Sequence, residues 1–269
     1  MRWMRGAGCR RAKTGNNDTF LKMLLNSFKD YKDHLRKTWN KASHDLDEDS
    51  IHDLRVASRR MGALLLLVES VLGEDRSSKA RRNIKRVMKK LGPLRDVQVQ
   101  MVIAKKWKQS QNVKRFEDSL KRTERKERNR VRHYLSQHRK RSILQELKSF
   151  EKDAAKRLKK IPETTIKTSI QSTLSIQRLD RKAARKAIAP ADLTSLHAAR
   201  RTARKLRYCL EASAEAVGAA PESELQELRR YQTQLGNKRD RQLLQTKFED
   251  WQGAKARADL APVSRTSKD

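Results

Sequence analysis

The chain is poor in the residues that interrupt helices or crosslink a fold. Its 269 residues include two cysteines, five prolines and nine glycines, and aromatic residues make up 5%. Cys9 and Cys209 lie too far apart to suggest a disulfide framework or a zinc site, and they weakly favour a reducing compartment. The longest apolar run, residues 63–68, is far too short to span a bilayer. The basic N-terminus lacks the apolar segment of a secretory signal, so we expect a cytoplasmic protein without membrane insertion.

Acidic residues are also scarce relative to basic ones. Lys and Arg number 65 against 32 Asp and Glu, which gives a formal net charge of +33. Self-repulsion at this charge opposes compaction, so we expect a neutralising partner. The candidates are DNA, RNA, an anionic membrane surface and a phosphate polymer. The few aromatic residues argue against a site built on stacked bases.

The spacing of apolar residues predicts an all-α domain over residues 18–256. No run of alternating β-branched residues predicts a strand. We expect a disordered basic tail over residues 1–17 and a second tail over 257–269. The predicted helices cover residues 18–44, 50–73, 77–91, 95–140, 143–160, 164–187, 192–217, 222–235 and 239–256. The predicted breaks lie at glycines and prolines, namely Gly73, Gly92-Pro93, Pro162, Pro190, residues 218–221 and Gly236.

Two further local features follow from the sequence. Asp49 or Ser50 is expected to N-cap the second helix, after an acidic turn over residues 45–49. The segment 107–140 is dense in charge and has few apolar residues, which favours one long, mostly solvated helix.

Two motifs occur twice and in the same order. The pattern H-x-x-R-x-x-x-R-[RK] begins at His52 and again at His197, and L-G-x-x-R-D covers residues 91–96 and 235–240. The copies lie 145 and 144 residues apart. This agreement predicts an internal duplication, with a first repeat over about 18–160 and a second over about 161–256.

Helix geometry separates a cationic face from an apolar face in the first motif. At about 100° per residue, the His and the Arg residues three and seven positions later share one narrow stripe. The apolar residues fall on the opposite side of both helices, and they are Leu54, Met61, Leu65 and Val68 in the first copy and Ala199, Leu206 and Leu210 in the second. We therefore expect the apolar stripe to enter the core and the cationic stripe to line a groove that contacts phosphate.

The L-G-x-x-R-D motif favours a structural role. Its Leu is expected to complete a core face, and its Gly to adopt a left-handed conformation at a helix C-terminus. Its Asp is expected to cap the next helix or to hold an arginine, and we do not interpret it as catalytic.

These four motifs resemble those of the CHAD family, the conserved histidine α-helical domain, over about residues 18–256. The resemblance implies two antiparallel four-helix bundles related by a pseudo-two-fold axis, with a basic central groove. It also implies binding of inorganic polyphosphate and association with polyphosphate granules. Carried over by motif, the groove residues are His52, Arg55, Arg59, Arg60, Lys85, Lys89, His197, Arg200, Arg204, Lys205 and Arg207.

The chain departs from the family pattern at one groove position. The family usually has an arginine where this sequence has Gly62, the counterpart of Arg207. We therefore expect the first copy to bind phosphate less firmly than the second. The E-x-E-x-K signature of the triphosphate-tunnel domains found in some relatives is missing from this sequence, so the resemblance gives no reason to infer hydrolysis.

We expect a non-catalytic polyphosphate-binding protein that needs no cofactor or metal. One alternative is an RNA- or DNA-binding basic protein, since charge alone fits both, and nucleic acid remains a non-specific competitor. A phosphohydrolase is a second alternative, because His52-Asp53 is similar to an HD metal pair, although the second copy has Ala198 at the Asp position. A scaffold that docks protein partners at granules is compatible with the first interpretation.

Overall fold

The computed structural model describes residues 17–73, 78–189, 192–217 and 222–260. These residues form helices and connections with no strand, which confirms the all-α prediction. The helices are α1 (Asn17–Asp45), α2 (Glu48–Leu72), α3 (Ser78–Ala104), α4 (Gln111–Tyr134), α5 (Gln137–Leu158), α6 (Glu163–Lys186), α7 (Leu193–Val217) and α8 (Glu222–Leu260). Residues 1–16 and 261–269 of the predicted tails lie outside the described residues. The same is true of the predicted breaks at Pro190 and at residues 218–221.

The turn between α1 and α2 is tighter than predicted. Leu46 has a positive φ of 54°, and its side chain is fully buried. The side chain of Asp47 accepts a hydrogen bond from the Ser50 amide at 2.7 Å, so Asp47 is the N-cap and α2 begins at Glu48. The prediction of a cap at Asp49 or Ser50 was wrong because this bond starts the helix earlier.

Neither Gly92-Pro93 nor Gly236 ends a helix. Helix α3 continues through Pro93, and α8 continues through Gly236. Leu91 and Leu94 are both fully buried, as are Leu228 and Leu244 in α8. The apolar faces before and after each predicted break therefore pack on the same core, and this packing outweighs the local preference for a break.

The predicted long helix over 95–140 is instead divided among three helices. Residues up to Ala104 belong to α3, and new helices begin after Ser110 and Ser136. The hydroxyl of Ser110 accepts a hydrogen bond from the Val113 amide at 3.2 Å, and Ser136 accepts one from the Arg139 amide at 3.5 Å. No glycine or proline marks either break, which is why the sequence pattern did not predict them.

The described helices pack into two groups. In the first, α1, α2, α3 and α5 close a four-helix ring through the contacts α1–α2, α2–α3, α3–α5 and α5–α1, and α4 packs on α3. In the second, α6 packs on α7 and α7 on α8. Contacts of α2 with α7 and of α3 with α8 join the groups, so α2, α3, α8 and α7 surround a common space. No described helix contains a stretch long and apolar enough to cross a membrane.

Four aromatic rings attach the C-terminal part of α8 to α4. The ring of Phe116 lies 6.4 Å from that of Trp107, 5.1 Å from that of Phe248 and 5.6 Å from that of Trp251. Phe116 is 1% exposed. This cluster, called the aromatic cluster below, fixes the position of α8 relative to the rest of the chain.

Replacing Phe116 with alanine is expected to lower the free energy of unfolding by about 3 kcal/mol or more, since a large aromatic side chain is removed from a closed contact. Denaturant unfolding measures the change. Lys114→Ala, at an exposed position of the same helix, is the control and should stay within about 0.5 kcal/mol of the parent. Equal stability of the two variants would contradict the assigned role of the cluster.

Candidate anion-binding groove

A cavity of about 690 Å³ lies between α2, α3, α7 and α8. We call it the central cavity. The two repeats contribute the same residues to its walls. The lining pairs are His52 with His197, Arg55 with Arg200, Arg59 with Arg204, Arg95 with Arg239, and Asp96 with Asp240. The structure thus brings both motifs of both repeats to a single site.

The cationic stripes face this cavity because the opposite faces of their helices are buried. Leu54, Met61 and Leu65 of α2 are all fully buried, and Leu206 of α7 is equally so. Residues on the other side of each helix therefore point away from the core and toward the space between α2 and α7. The predicted division into an apolar and a cationic stripe is confirmed in both repeats.

The glycine of L-G-x-x-R-D makes room for an arginine of the other motif. A Cβ on Gly236 would lie 2.9 Å from Nη2 of Arg200, and one on Gly92 would lie 3.6 Å from Nη1 of Arg55. Nη1 of Arg55 also donates a hydrogen bond to the Met88 carbonyl at 2.8 Å. The predicted left-handed conformation was wrong for both glycines, since each lies inside a helix. Of the two, Gly236 is the one whose missing side chain permits the approach of its guanidinium group, because the distance at Gly92 is an ordinary contact.

Several guanidinium groups face one another with few counter-charges. Burial, reinforced by the nearby charge of Arg59, lowers the pKa of Arg204 to about 9 and that of Arg55 to about 10. Both groups remain protonated at neutral pH. The Nε atoms of Arg59 and Arg200 are buried without a hydrogen-bond partner among the described residues. An anion in the central cavity would supply the missing counter-charge.

The two histidines lie at the same place in each repeat. The pKa of His52 is lowered by partial burial and by Arg95 and Arg59, and that of His197 by partial burial and by Arg239 and Arg201. The neutral form of each imidazole is therefore favoured when no anion is present.

The repeats differ at the position where Gly62 replaces an arginine. In the second copy, Arg207 donates hydrogen bonds to Gln232 at 3.2 Å and to Glu211 at 2.8 Å, and its guanidinium lies 4.3 Å from the centre of the Tyr208 ring. Arg207 lines the central cavity. Gly62 has no side chain to place there, so the cavity has more cationic groups on its second-repeat side.

Four of the predicted groove residues lie outside the central cavity. Arg60 and Lys205 each follow an inward-facing arginine by one position and so point about 100° away from it, and Arg60 lies 3.7 Å from Glu211. Lys205 and Lys85 line a second cavity of about 650 Å³, called the lateral cavity. The lateral cavity shares Arg59, Arg204 and Tyr208 with the central cavity. Lys89 lines a separate opening with Lys90 and Arg139.

The arginines of L-G-x-x-R-D were not among the predicted groove residues. Arg95 and Arg239 both line the central cavity, and Arg95 also pairs with Glu48 at 2.8 Å. Their recurrence at equivalent positions of the two repeats was the signal that could have identified them. Arg229 and Gln232 of α8 also line the cavity, but no motif distinguishes them.

Comparison with known proteins agrees with this architecture. The family model for the CHAD domain matches residues 27–249, so the chain belongs to the CHAD family. The crystal structure of the CHAD domain from the plant Ricinus communis superposes with a TM-score of 0.70 at 16% sequence identity, covering 93% of this chain and 88% of that one. At this identity the similarity shows the fold alone. No curated protein matches the chain.

Replacing Gly236 with alanine is expected to displace Arg200 without unfolding the protein. The new methyl group would stand 2.9 Å from the guanidinium, whereas alanine is favoured over glycine by up to about 1 kcal/mol inside a helix. Affinity of the central cavity for an added multivalent oxyanion should fall by about tenfold. Calorimetric titration and thermal unfolding measure the two effects.

Gly92→Ala is the matched control, because its methyl group would meet Arg55 at an ordinary contact distance of 3.6 Å. Its affinity should stay within about twofold of the parent. If both substitutions lowered the affinity equally, the distance between each glycine and its arginine would not explain the effect.

Proposed function

We propose that the chain binds inorganic polyphosphate in the central cavity, without catalysing a reaction. The observation that carries the proposal is the composition of the cavity wall, which contains eight arginines and two histidines against two aspartates. Each guanidinium offers a planar set of donors to phosphate oxygens, so successive phosphates of a chain can be bound by successive arginines. Release of condensed counterions should make the affinity fall as salt rises.

The repeated geometry of the site favours a phosphate chain over a nucleic acid. An inorganic polyphosphate chain is the same in both directions, and the paired residues of the two repeats present equivalent groups to both of its ends. A nucleic acid strand has a direction and carries bases. Tyr208 is the one aromatic residue of the described cavity wall, and Arg207 already covers a face of its ring. Nucleic acid then binds through net charge, as a non-specific competitor.

Localisation at polyphosphate granules follows from this proposal, since a protein that binds the polymer accumulates where the polymer is concentrated. The exposed cations of α4 and α5 lie outside the central cavity and remain accessible there. They are the surface on which a scaffold function, with protein partners docked at the granule, would depend.

Replacing Arg59 and Arg204 together is the direct test, because these residues face each other where the two cavities meet. The double alanine variant should bind long-chain polyphosphate at least about 100-fold more weakly, at about 1.4 kcal/mol or more for each arginine. It should keep its thermal stability, because the substitution removes two half-buried like charges. Polyphosphate pull-down and calorimetry at fixed salt measure the affinity.

A control with the same loss of charge separates the site from net charge. Arg122→Ala/Lys126→Ala removes two exposed cations of α4 and should change the affinity by less than about threefold. Competition at matched salt against single-stranded RNA and duplex DNA addresses the alternative. Tighter binding of either nucleic acid, or equal weakening in the two variants, would overturn the proposal.

Binding is expected to strengthen as the pH falls through neutrality. In the free protein the pKa values of His52 and His197 are lowered, and a bound polyanion raises them, so each histidine takes up a proton on binding. Each imidazole binds its proton more tightly in the complex than in the free protein, so the affinity should rise by up to about tenfold per histidine as the pH falls from about 8 to about 5.5.

The measurement uses a long polymer, because internal phosphates stay ionised over this range and only the terminal groups titrate. His52→Ala/His197→Ala should flatten the pH dependence while keeping most of the affinity at high pH. NMR titration should show both histidine pKa values rising when polymer is added. Unchanged values would refute the coupling.

A further inference from the structure

The lateral cavity changes in character along α2. Its end near the central cavity is formed by Arg59 and Arg204, its middle by Gly62, Ala63 and Leu66, and its far end by Glu69. Glu69 follows Arg59 by ten positions, which corresponds to a rise of about 15 Å along a helix. Arg82, Lys85, Arg201 and Lys205 also line the cavity. The cavity therefore combines an apolar middle with cationic side chains and one ion-paired carboxylate, over roughly the length of a small phosphorylated molecule.

The equivalent space in the second repeat is filled by side chains. Gly62, Ala63 and Leu66 are the counterparts of Arg207, Tyr208 and Glu211 at the offset of 145 residues. In the second repeat Arg207 lies over the Tyr208 ring and bonds to Glu211. The first repeat has small or aliphatic residues instead, so the lateral cavity is a difference between two otherwise equivalent halves.

The far end of the lateral cavity does not suit a phosphate chain. Glu69 is 8% exposed and its carboxylate is paired with Arg81, so the ion pair presents both an acceptor and a donor at that end. The Glu69 carboxylate already neutralises Arg81, so this pair offers a phosphate no net positive charge. Ile84 and Met88 of α3 add apolar surface to the middle of the cavity. These walls suit a largely uncharged group whose far edge carries its own donors and acceptors.

We propose that the lateral cavity holds the nucleoside part of a nucleoside polyphosphate, whose phosphates bind Arg59 and Arg204 at the junction with the central cavity. The base lies between the apolar walls, and its polar edge meets the Glu69–Arg81 pair. The phosphate contacts of this inference depend on the proposed function of the central cavity. The nucleoside contacts are independent of it. The proposed ligands are therefore phosphate chains that carry an organic group at one end.

Replacing Gly62 with methionine tests the inference by filling the apolar part of the lateral cavity without changing charge. A Cβ at this position meets Ile84 at an ordinary 3.6 Å, and the helix tolerates methionine well. Gly62→Ala is the control that leaves the volume open. Calorimetry compares adenosine and guanosine triphosphate with inorganic tripolyphosphate, which has the same number of phosphates and no nucleoside.

The parent and Gly62→Ala should bind at least one nucleoside triphosphate about tenfold more tightly than tripolyphosphate. Gly62→Met should lose this preference while its affinity for tripolyphosphate stays within about twofold. Equal affinities for the two ligand types in the parent, or a preference that survives in Gly62→Met, would overturn the inference.

The two proposals fail in different ways. If tripolyphosphate and long-chain polyphosphate bind and Arg59→Ala/Arg204→Ala abolishes this binding, a missing nucleoside preference overturns the lateral site alone. If nucleoside triphosphates bind in a Gly62→Met-sensitive way but the inorganic polymer does not, the proposed function of the central cavity is overturned and the nucleoside contacts stand.

Discussion

The packing of α2 against α7 brings arginines of two repeats into proximity, and the arrangement of the groove depends on this contact. Arg59 and Arg204 carry like charge, and Arg59 adds to burial in lowering the pKa of Arg204 and of Arg55. They stay together because the apolar residues behind them, such as Leu54 and Leu206, are completely withdrawn from water. Burial of each such side chain contributes about 1.5–3 kcal/mol, which is enough to oppose the repulsion between partly hydrated cations. Packing of the core thus keeps the arginines of the groove close together, and a bound anion would neutralise their charge.

Duplication gives this arrangement its regularity. Five residues of the central cavity are built twice, from the histidine of the first motif to the aspartate of the second, and each guanidinium of the Arg55/Arg200 pair lies close to a glycine of the other motif. The two motifs of a repeat therefore form one structural unit. The helix with the first motif carries the arginine, and the neighbouring helix carries the glycine beside which the guanidinium group lies. A position that differs between the repeats, such as Gly62, can alter one side of the groove while the paired residues remain.

The parts of the structure that sequence alone predicted are those with a helical period. The opposite apolar and cationic stripes of α2 and α7 follow from residue spacing, and so does their duplication. The continuation of α3 through Pro93 and of α8 through Gly236 was missed, because buried leucines on both sides of each position outweigh the local preference. The function of the glycines could not be predicted either, since it depends on an arginine that folding brings from another helix. Arg95 and Arg239 were undervalued for a similar reason, because their motif also carries structural residues.

The aromatic cluster gives the protein an internal optical signal. Trp107 and Trp251 both belong to it, and α8 runs from the central cavity, where it contributes Arg239, to this cluster. Trp39 lies elsewhere, fully buried in the core with its indole N–H near the Leu135 carbonyl. The chain has four tryptophans, and Trp3 lies outside the described residues. Of the three described indole rings, a displacement of α8 changes the surroundings of two and leaves that of Trp39 in place. A change in intrinsic tryptophan fluorescence therefore indicates a displacement of α8. A conformational change at the groove can be detected in solution in this way without an attached label.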